Sequence, residues 1–375
     1  MRILLYKKNH LVASSGGAEK IMITYANEFA KRGNEVILAT RDPVEGKLFF
    51  ELNKEVIFKH FNFKFSPIRR FIGKLLAKLG VIDNFPYFNR ELAVSTMLTS
   101  YANSKKVDIV IVAGIQDLID FTAYGNRTFP VIMMMHSHPN TFFVPSREKY
   151  YSQYINNAVT IQVLLDSYKK AIPSCYNGPI VTIGNPIEPI KVENERKNII
   201  IYMARINKGK QHHLLIEAFA KIADKHPQWQ VHLYGDETDA KYAAQCKSEV
   251  KNKNLEKQII FKGITKQVSE VLTTAKICAF PSYFEGFSLA LTEAMSAGLP
   301  AIGFDYCSGV NEIIKNNKNG FLVKDVDEFA DKLDLLISNE KLREQMGQEA
   351  KNICTAYTMD NIMNQWLTLI KNTVK

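Results

Sequence analysis

The sequence predicts an α/β protein of two Rossmann-like domains facing across a cleft. Three observations carry this: a length of 375 residues, a strand–loop–helix–strand opening at the start, and the same opening again near residue 199. The length favours two compact domains over one. In the first opening, Arg2–Tyr6 reads as a strand and Lys7–Gly17 as a polar, glycine-bearing loop. A helix follows through Ile21, Ile23, Tyr25, Ala26, Phe29 and Ala30, closed by Lys31-Arg32-Gly33, before a second strand at Glu35–Ala39. In the second, Ile199–Met203 is the strand and Ala204–Gln211 the loop. His213–Ala223 is the helix, with Leu214, Leu215, Ala218, Phe219 and Ile222 inward, and Val231–Tyr234 is the next strand. Alternating strands and helices imply parallel sheets with right-handed crossovers. Gln258–Phe261, Ile277–Phe280, Ala301–Phe304 and Gly320–Val323 extend the second sheet, and Ser288–Ala297 is a helix ended by Gly298-Leu299-Pro300.

The boundary is expected near Gly184-Asn185-Pro186, which divides the chain into a first domain, 1–185, and a second domain, 186–358. Residues 359–375 form an amphipathic helix through Ile362, Trp366, Leu367, Leu369 and Ile370 that can cross back to the first domain. In such sheets ligands sit beyond the carboxyl ends of the strands, and the cleft between two domains is the natural site.

Composition narrows the class. Hydrophobic content of 46% and charged content of 23% are those of a soluble globular protein. The five cysteines contain no CxxC pair, against a disulfide framework or zinc site. The N-terminal apolar run is too short for a signal peptide, and no run reaches the roughly 20 residues of a transmembrane helix. A reducing cytoplasm is the expected compartment. The net charge of +10 is uneven: residues 1–185 carry +9 and the remainder +1. The first half should therefore meet something anionic: nucleic acid, a phosphorylated acceptor or a membrane surface. Nucleic acid rests on charge alone, without a recognition motif, and is not expected as a partner.

The segment from Phe280 to Glu312 concentrates the chemistry. It opens Phe-Pro-Ser-Tyr-Phe-Glu-Gly-Phe-Ser-Leu, so a strand ends, a loop with Pro281 and Gly286 follows, and a helix starts near Ser288. Backbone N–H groups at that start attract phosphate oxygens. Glu285 lies in the loop and Glu293 in the helix, so both acids can line one cleft. A carboxylate can accept hydrogen bonds from two neighbouring hydroxyls of a sugar or ribose. Taken alone, the two acids would read as a turn residue and a solvated helix residue.

Together, however, the string resembles the signature of retaining nucleotide-sugar glycosyltransferases with the GT-B fold, notably glycosyltransferase family 4: an E-x7-E pair in an FEGF…EAM.AG.P frame. The resemblance covers nearly the whole chain, is strongest over residues 200–325, and implies that domain 1–185 is the acceptor side and domain 186–358 binds the donor. It implies that Glu285 contacts the donor sugar and Glu293 the donor ribose, with Gly286, Phe287, Ser288 and Leu289 shaping the phosphate site. Ser288 departs from the glycine common in the family. The loop after the 199–203 strand holds Arg205 and Lys210 at the spacing of the two cations that bind the donor diphosphate in the family, with Lys208 as a rival for the lysine role. Two fixed cations can neutralise a leaving diphosphate. Gln211 stands where family members usually have glycine. Ser308-Gly309-Val310 resembles the family's glycine turn near the phosphates, followed by Glu312. In the first half, Gly16 and Gly17 resemble its glycine loop, and His136, chosen over His138, its histidine near the donor sugar.

The activity implied is transfer of a hexose or N-acetylhexosamine from a UDP-sugar, with retention, to a glycan or lipid-linked acceptor in bacterial surface-polysaccharide, lipopolysaccharide or glycan synthesis. It calls for no metal and no cofactor, and it names no protein nucleophile. The alternative is a non-catalytic nucleotide-sugar or glycan-binding protein of the same fold. Asp325-Val326-Asp327 matches a metal-binding DxD pattern, but it precedes a helical run and reads as helix-start acids. His212-His213 lacks zinc-site spacing. Ile68–Leu79 places Ile68, Phe71, Ile72, Leu75, Leu76 and Leu79 on one stripe, with Arg69, Arg70, Lys74 and Lys78 around it. This is the pattern either of a helix on anionic lipid or of a core-packed helix with a basic outer face. Lipid-linked acceptors in the family favour the former, hence a peripheral protein on the cytoplasmic face of the inner membrane.

Overall fold

The computed structural model describes residues 1–14, 16–43, 45–64, 66–68, 71–72, 89–192 and 195–374. The chain divides into two compact units, Met1–Gly184 with Ile362–Lys375, and Asn185–Asn361.

Among the described residues, the first unit is built on a seven-stranded sheet in the order β3-β2-β1-β4-β5-β6-β7. The strands are β1 Arg2–Lys7, β2 Glu35–Thr40, β3 Ile57–His60, β4 Ile109–Val112, β5 Val131–Met134, β6 Thr160–Val163 and β7 Ile180–Thr182. Every pairing is parallel. A parallel sheet is covered on both faces, so its strands are continuous apolar runs. Ile3, Leu4, Leu5 and Tyr6 of β1 are wholly buried. The strand order reverses between β1 and β4, which makes the loops after these two strands the place where a ligand crevice opens.

The helix Gly17–Lys31 buries Ile21, Met22, Tyr25, Ala26 and Phe29. Each large side chain so buried contributes roughly 1.5–3 kcal/mol. The helix ends where Gly33 takes a φ of +80°, and the Gly33 and Asn34 N–H groups donate back to Ala30 and Phe29. The closing helix Met359–Val374 returns the chain to this unit. Its Trp366 is fully buried and meets the Tyr25 ring edge-on at 5.6 Å.

The second unit repeats the plan with β8 Ile199–Met203, β9 Gln230–Tyr234, β10 Ile259–Gly263, β11 Ile277–Phe280, β12 Ala301–Phe304 and β13 Gly320–Val323. Among the described residues these form a six-stranded sheet, β10-β9-β8-β11-β12-β13, again all parallel. The order reverses between β8 and β11. The helix predicted at 213–223 runs His212–Ala220 and then tightens into a 3-10 turn, Ala223–Lys225. No described helix is long and apolar enough to cross a membrane. Of the amphipathic stretch predicted at 68–79, residues 69, 70 and 73–79 lie outside the described residues. Ile68 and Phe71, which are described, are exposed.

Candidate functional site

In the second unit, the loops after β8 and β11 flank the point where strand order reverses. They carry Lys210 and Glu285, whose Nζ and Oε1 atoms lie 2.5 Å apart, with both side chains largely buried. The pair is held from below. Ser282 donates to the same Glu285 oxygen at 2.7 Å. The Tyr202 hydroxyl lies 2.8 Å from both Ser282 Oγ and the Lys210 carbonyl oxygen. Sequence reasoning missed Ser282 and Tyr202. The available signal was a tyrosine in the otherwise aliphatic strand Ile199–Met203, since a buried phenol needs a partner for its hydroxyl.

A third loop closes on these two. The Glu285 N–H donates to Ser308 O at 3.2 Å. Gly309 takes a φ of +86°, and a Cβ there would stand 2.1 Å from Gly286 O. Only glycine permits both the left-handed backbone and that approach. Gly235, after β9, is likewise constrained: φ is +152° and a Cβ would meet Ala204 O at 1.9 Å.

The helix Leu289–Ser296 starts immediately beyond. Ser288 is its N-cap, its hydroxyl accepting from Leu291 N at 3.4 Å. The serine that departs from the family pattern therefore has a structural role, and the first-turn N–H groups of Leu289 and Ala290 stay outside the helix's own ladder. Phe287 is buried against Tyr357, with ring centroids 4.9 Å apart, so what it can offer a ligand is its backbone. Glu293 is half-buried in the helix. Arg205 is exposed and makes no ion pair among the described residues, and Lys208 is exposed on the same loop. His212 is buried against Tyr202, its imidazole held down to about 4 by burial first and then by Lys210. His213 Nδ1 lies 2.8 Å from the Tyr242 hydroxyl. Asp325 caps the helix Val326–Ser338 through Glu328 N at 2.9 Å, and Asp327 pairs with Lys221. The DxD acids thus sit at a helix start.

In the first unit, Gly16 is the N-cap of Gly17–Lys31 and Gly17 its first residue. A Cβ on Gly16 would stand 2.0 Å from Glu19 Oε2, and Glu19 in turn pairs with Lys7 at 3.2 Å. His136 lies just beyond β5. Its Nε2 is enclosed without a hydrogen-bond partner among the described residues. Burial, then the Lys7 charge, lowers its imidazole to about 3, so it is neutral. His138 Nδ1 instead caps the turn Pro139–Thr141 by accepting from Asn140 N at 3.2 Å. Two buried acids on the helix Ile115–Thr122 escaped the sequence reading. Asp117 accepts from Lys8 N at 3.2 Å, and burial raises its carboxyl to about 7 despite Lys7. Asp120 gathers the Tyr6 hydroxyl at 2.7 Å, Arg41 at 3.1 Å and Lys8 at 3.3 Å. Their i and i+3 spacing within Ile115–Thr122 was the only sequence cue.

Residues 185–353 match the family model described as glycosyl transferases group 1. The second unit carries this glycosyl transferases group 1 region, and the chain has the GT-B fold. The chain is 29% identical over 234 residues to a poly(ribitol-phosphate) α-N-acetylglucosaminyltransferase of Staphylococcus aureus, covering 60% of the chain and 46% of that relative. It is 24% identical over 369 residues, 95% of each chain, to a Campylobacter jejuni α-1,4-N-acetyl-D-galactosaminyltransferase acting on a diphospho-undecaprenol-linked glycan. Among solved structures, HepE from Anabaena, in complex with UDP and glucose, superposes with a TM-score of 0.75 at 17% identity, over 99% of each chain. The structural likeness is one of fold.

Proposed function

We propose that the chain is a retaining, metal-independent glycosyltransferase of family 4 that moves a hexose or N-acetylhexosamine from a UDP-sugar to a glycan or lipid-linked acceptor in bacterial surface-polysaccharide or glycan synthesis. The observation that carries this reading is the Lys210–Glu285 pair, buttressed by Ser282 and Tyr202, beside a helix start with unladdered N–H groups. Names of relatives support it: two transfer N-acetylhexosamines, and the Anabaena protein binds UDP and glucose.

Each residue then has a task. Lys210 carries three N–H donors and gives one to Glu285, so the others can meet a diphosphate oxygen. Arg205 adds a second cation, and together they neutralise the charge that develops as the glycosidic bond breaks. Glu285 can accept further hydrogen bonds from donor-sugar hydroxyls while Lys210 and Ser282 hold its orientation. The N–H groups of Leu289 and Ala290 suit phosphate, and Glu293 suits the ribose diol. Gly16 and Gly17 let backbone approach the phosphate end, and neutral His136 offers the sugar a hydrogen bond without competing for the diphosphate as a cation would. In a same-face retaining reaction the departing phosphate takes the acceptor proton, so no protein nucleophile is needed.

The test is UDP release by purified protein across a donor panel with membrane extract as acceptor source. A donor whose turnover is abolished by Glu285→Ala supports the assignment. Binding of UDP-sugar without any turnover would favour the non-catalytic alternative. We assign the basic, apolar stretch 68–79 to an anionic membrane surface on the cytoplasmic side. Flotation with anionic liposomes checks this, and binding unchanged by Lys74→Glu with Lys78→Glu would refute it.

A further inference from the structure

The geometry points to a saccharide-binding platform formed by Tyr283 and Tyr306, which holds the acceptor pyranose beside the Lys210–Glu285 pair. This rests on the donor reading above and adds to it a subsite on the second unit, whereas the sequence assigned the acceptor to the first.

Tyr283 is 62% exposed and Tyr306 45%. Single exposed apolar residues are ordinary, but these two are gathered from different loops into one pair, with ring centroids 5.7 Å apart and planes inclined by 47°. The pair is anchored to the loop that carries Lys210. Tyr306 stacks on buried Phe304 at 4.9 Å and 12°, and its hydroxyl donates to Gln211 Oε1 at 3.2 Å. The Tyr283 N–H donates to Gly209 O at 3.0 Å. Gly209 and Gln211 are the immediate neighbours of Lys210, so the Tyr306 hydroxyl and the Tyr283 backbone are both tied to the residues flanking the cation of the site. Gln211 takes a φ of +49°, and this left-handed backbone, where the family usually has glycine, brings its amide to Tyr306.

The chemistry of such a surface favours a sugar. One face of a pyranose presents axial C–H bonds of partial positive charge, which pack on the negative face of an aromatic ring. Its equatorial hydroxyls need polar partners at the rim, and Gln211 and the exposed carboxylate of Asp305 provide them. Because Tyr306 is already held by Phe304 and Gln211, little of its side-chain freedom is lost on binding. Position selects which sugar. The rings adjoin Lys210, assigned to the diphosphate, and Glu285, assigned to the donor sugar, so the occupant is the sugar that meets the donor sugar: the acceptor.

The experiment is saturation-transfer NMR on the full chain with UDP present, using maltose, N,N′-diacetylchitobiose and methyl α-N-acetylgalactosaminide as probes. At least one probe should receive saturation on its ring C–H protons. The signal should fall roughly five- to tenfold in Tyr283→Ala/Tyr306→Ala and persist in Tyr283→Phe/Tyr306→Phe, since the rings carry the contact. Tyr283→Ala alone, with the more exposed ring removed, should act in the same direction and guards against loss of folding in the double variant. UDP affinity should stay within about twofold in all of them. The platform is overturned if no probe is saturated, if the alanine variants leave the signal unchanged, or if UDP affinity falls with the rings, which would assign them to the donor. Failure of the wild type to bind UDP would instead overturn the donor reading and, with it, the acceptor role, whatever the saccharide signal.

Discussion

Lys210 and Glu285, 75 positions apart in the chain, meet as a largely buried ion pair at 2.5 Å. Each comes from the loop after one of the two strands at which the sheet order reverses, so the fold itself brings them together. Removing one partner leaves the other charge half-desolvated, and the two substitutions should therefore not be additive. Glu285→Ala is expected to lower turnover about 100-fold or more, and Lys210→Ala to weaken UDP binding roughly tenfold as well as slowing transfer. In the double variant the combined loss should be smaller than the product of the single losses. A double-mutant cycle on turnover and UDP affinity measures this, and strict additivity would show that the pair does not act as a unit.

His136 is neutral throughout the physiological range, because burial and Lys7 bring its imidazole down to about 3. It should therefore contribute no inflection to the acid limb of the pH–rate profile, while His136→Asn still lowers kcat through loss of a hydrogen bond. A profile from about pH 5 to pH 9 for both proteins checks this. Loss of an inflection near neutrality in the variant would mean that the histidine titrates during turnover.

Asp117 makes the stability of the first unit pH-dependent. Burial raises its carboxyl to about 7 in the folded chain, with Asp120 adding to the shift and Lys7 opposing it. An acid whose folded value is raised binds protons more tightly when folded. Its contribution is present below its unfolded value and is lost as pH climbs through about 7. Asp117→Asn cannot ionise and retains an oxygen for the Lys8 N–H. Relative to wild type it should gain stability of order 1–3 kcal/mol as pH rises from about 4 to 8. Thermal melts at several pH values test this, and parallel curves for the two proteins would contradict it.

Gly309 and Gly209 should respond differently to the same substitution. At Gly309 a Cβ meets Gly286 O at 2.1 Å on a left-handed backbone, whereas at Gly209 the nearest atom, Asn207 Oδ1, is 3.5 Å away. Gly309→Ala is expected to cost roughly 2 kcal/mol or more and to displace Glu285, whose N–H bonds Ser308. Gly209→Ala should stay within about 0.5 kcal/mol. Urea unfolding of the two variants provides the comparison.

The sequence by itself determined the α/β plan, because buried parallel strands such as Ile199–Met203 must be unbroken apolar runs and crossover helices must carry apolar stripes at helical spacing. It also singled out Lys210, Glu285 and the helix start at Ser288 as candidates, because loop residues between such elements stand out as polar and glycine-bearing, and Glu293 because the 280–312 string resembles a known signature. Tertiary structure decided what spacing along the chain cannot express. Ser282 and Tyr202 hold Glu285 and Lys210 through contacts spanning up to 80 positions. Ser288 caps, Phe287 packs, and His138 closes a turn while His136 Nε2 has no hydrogen-bond partner among the described residues. Asp117 looks like an ordinary helix acid until burial shifts it. The physical reason is common to all of these. Periodicity records which face of an element is apolar, whereas hydrogen-bond partners and desolvation depend on which loops the sheet order sets side by side.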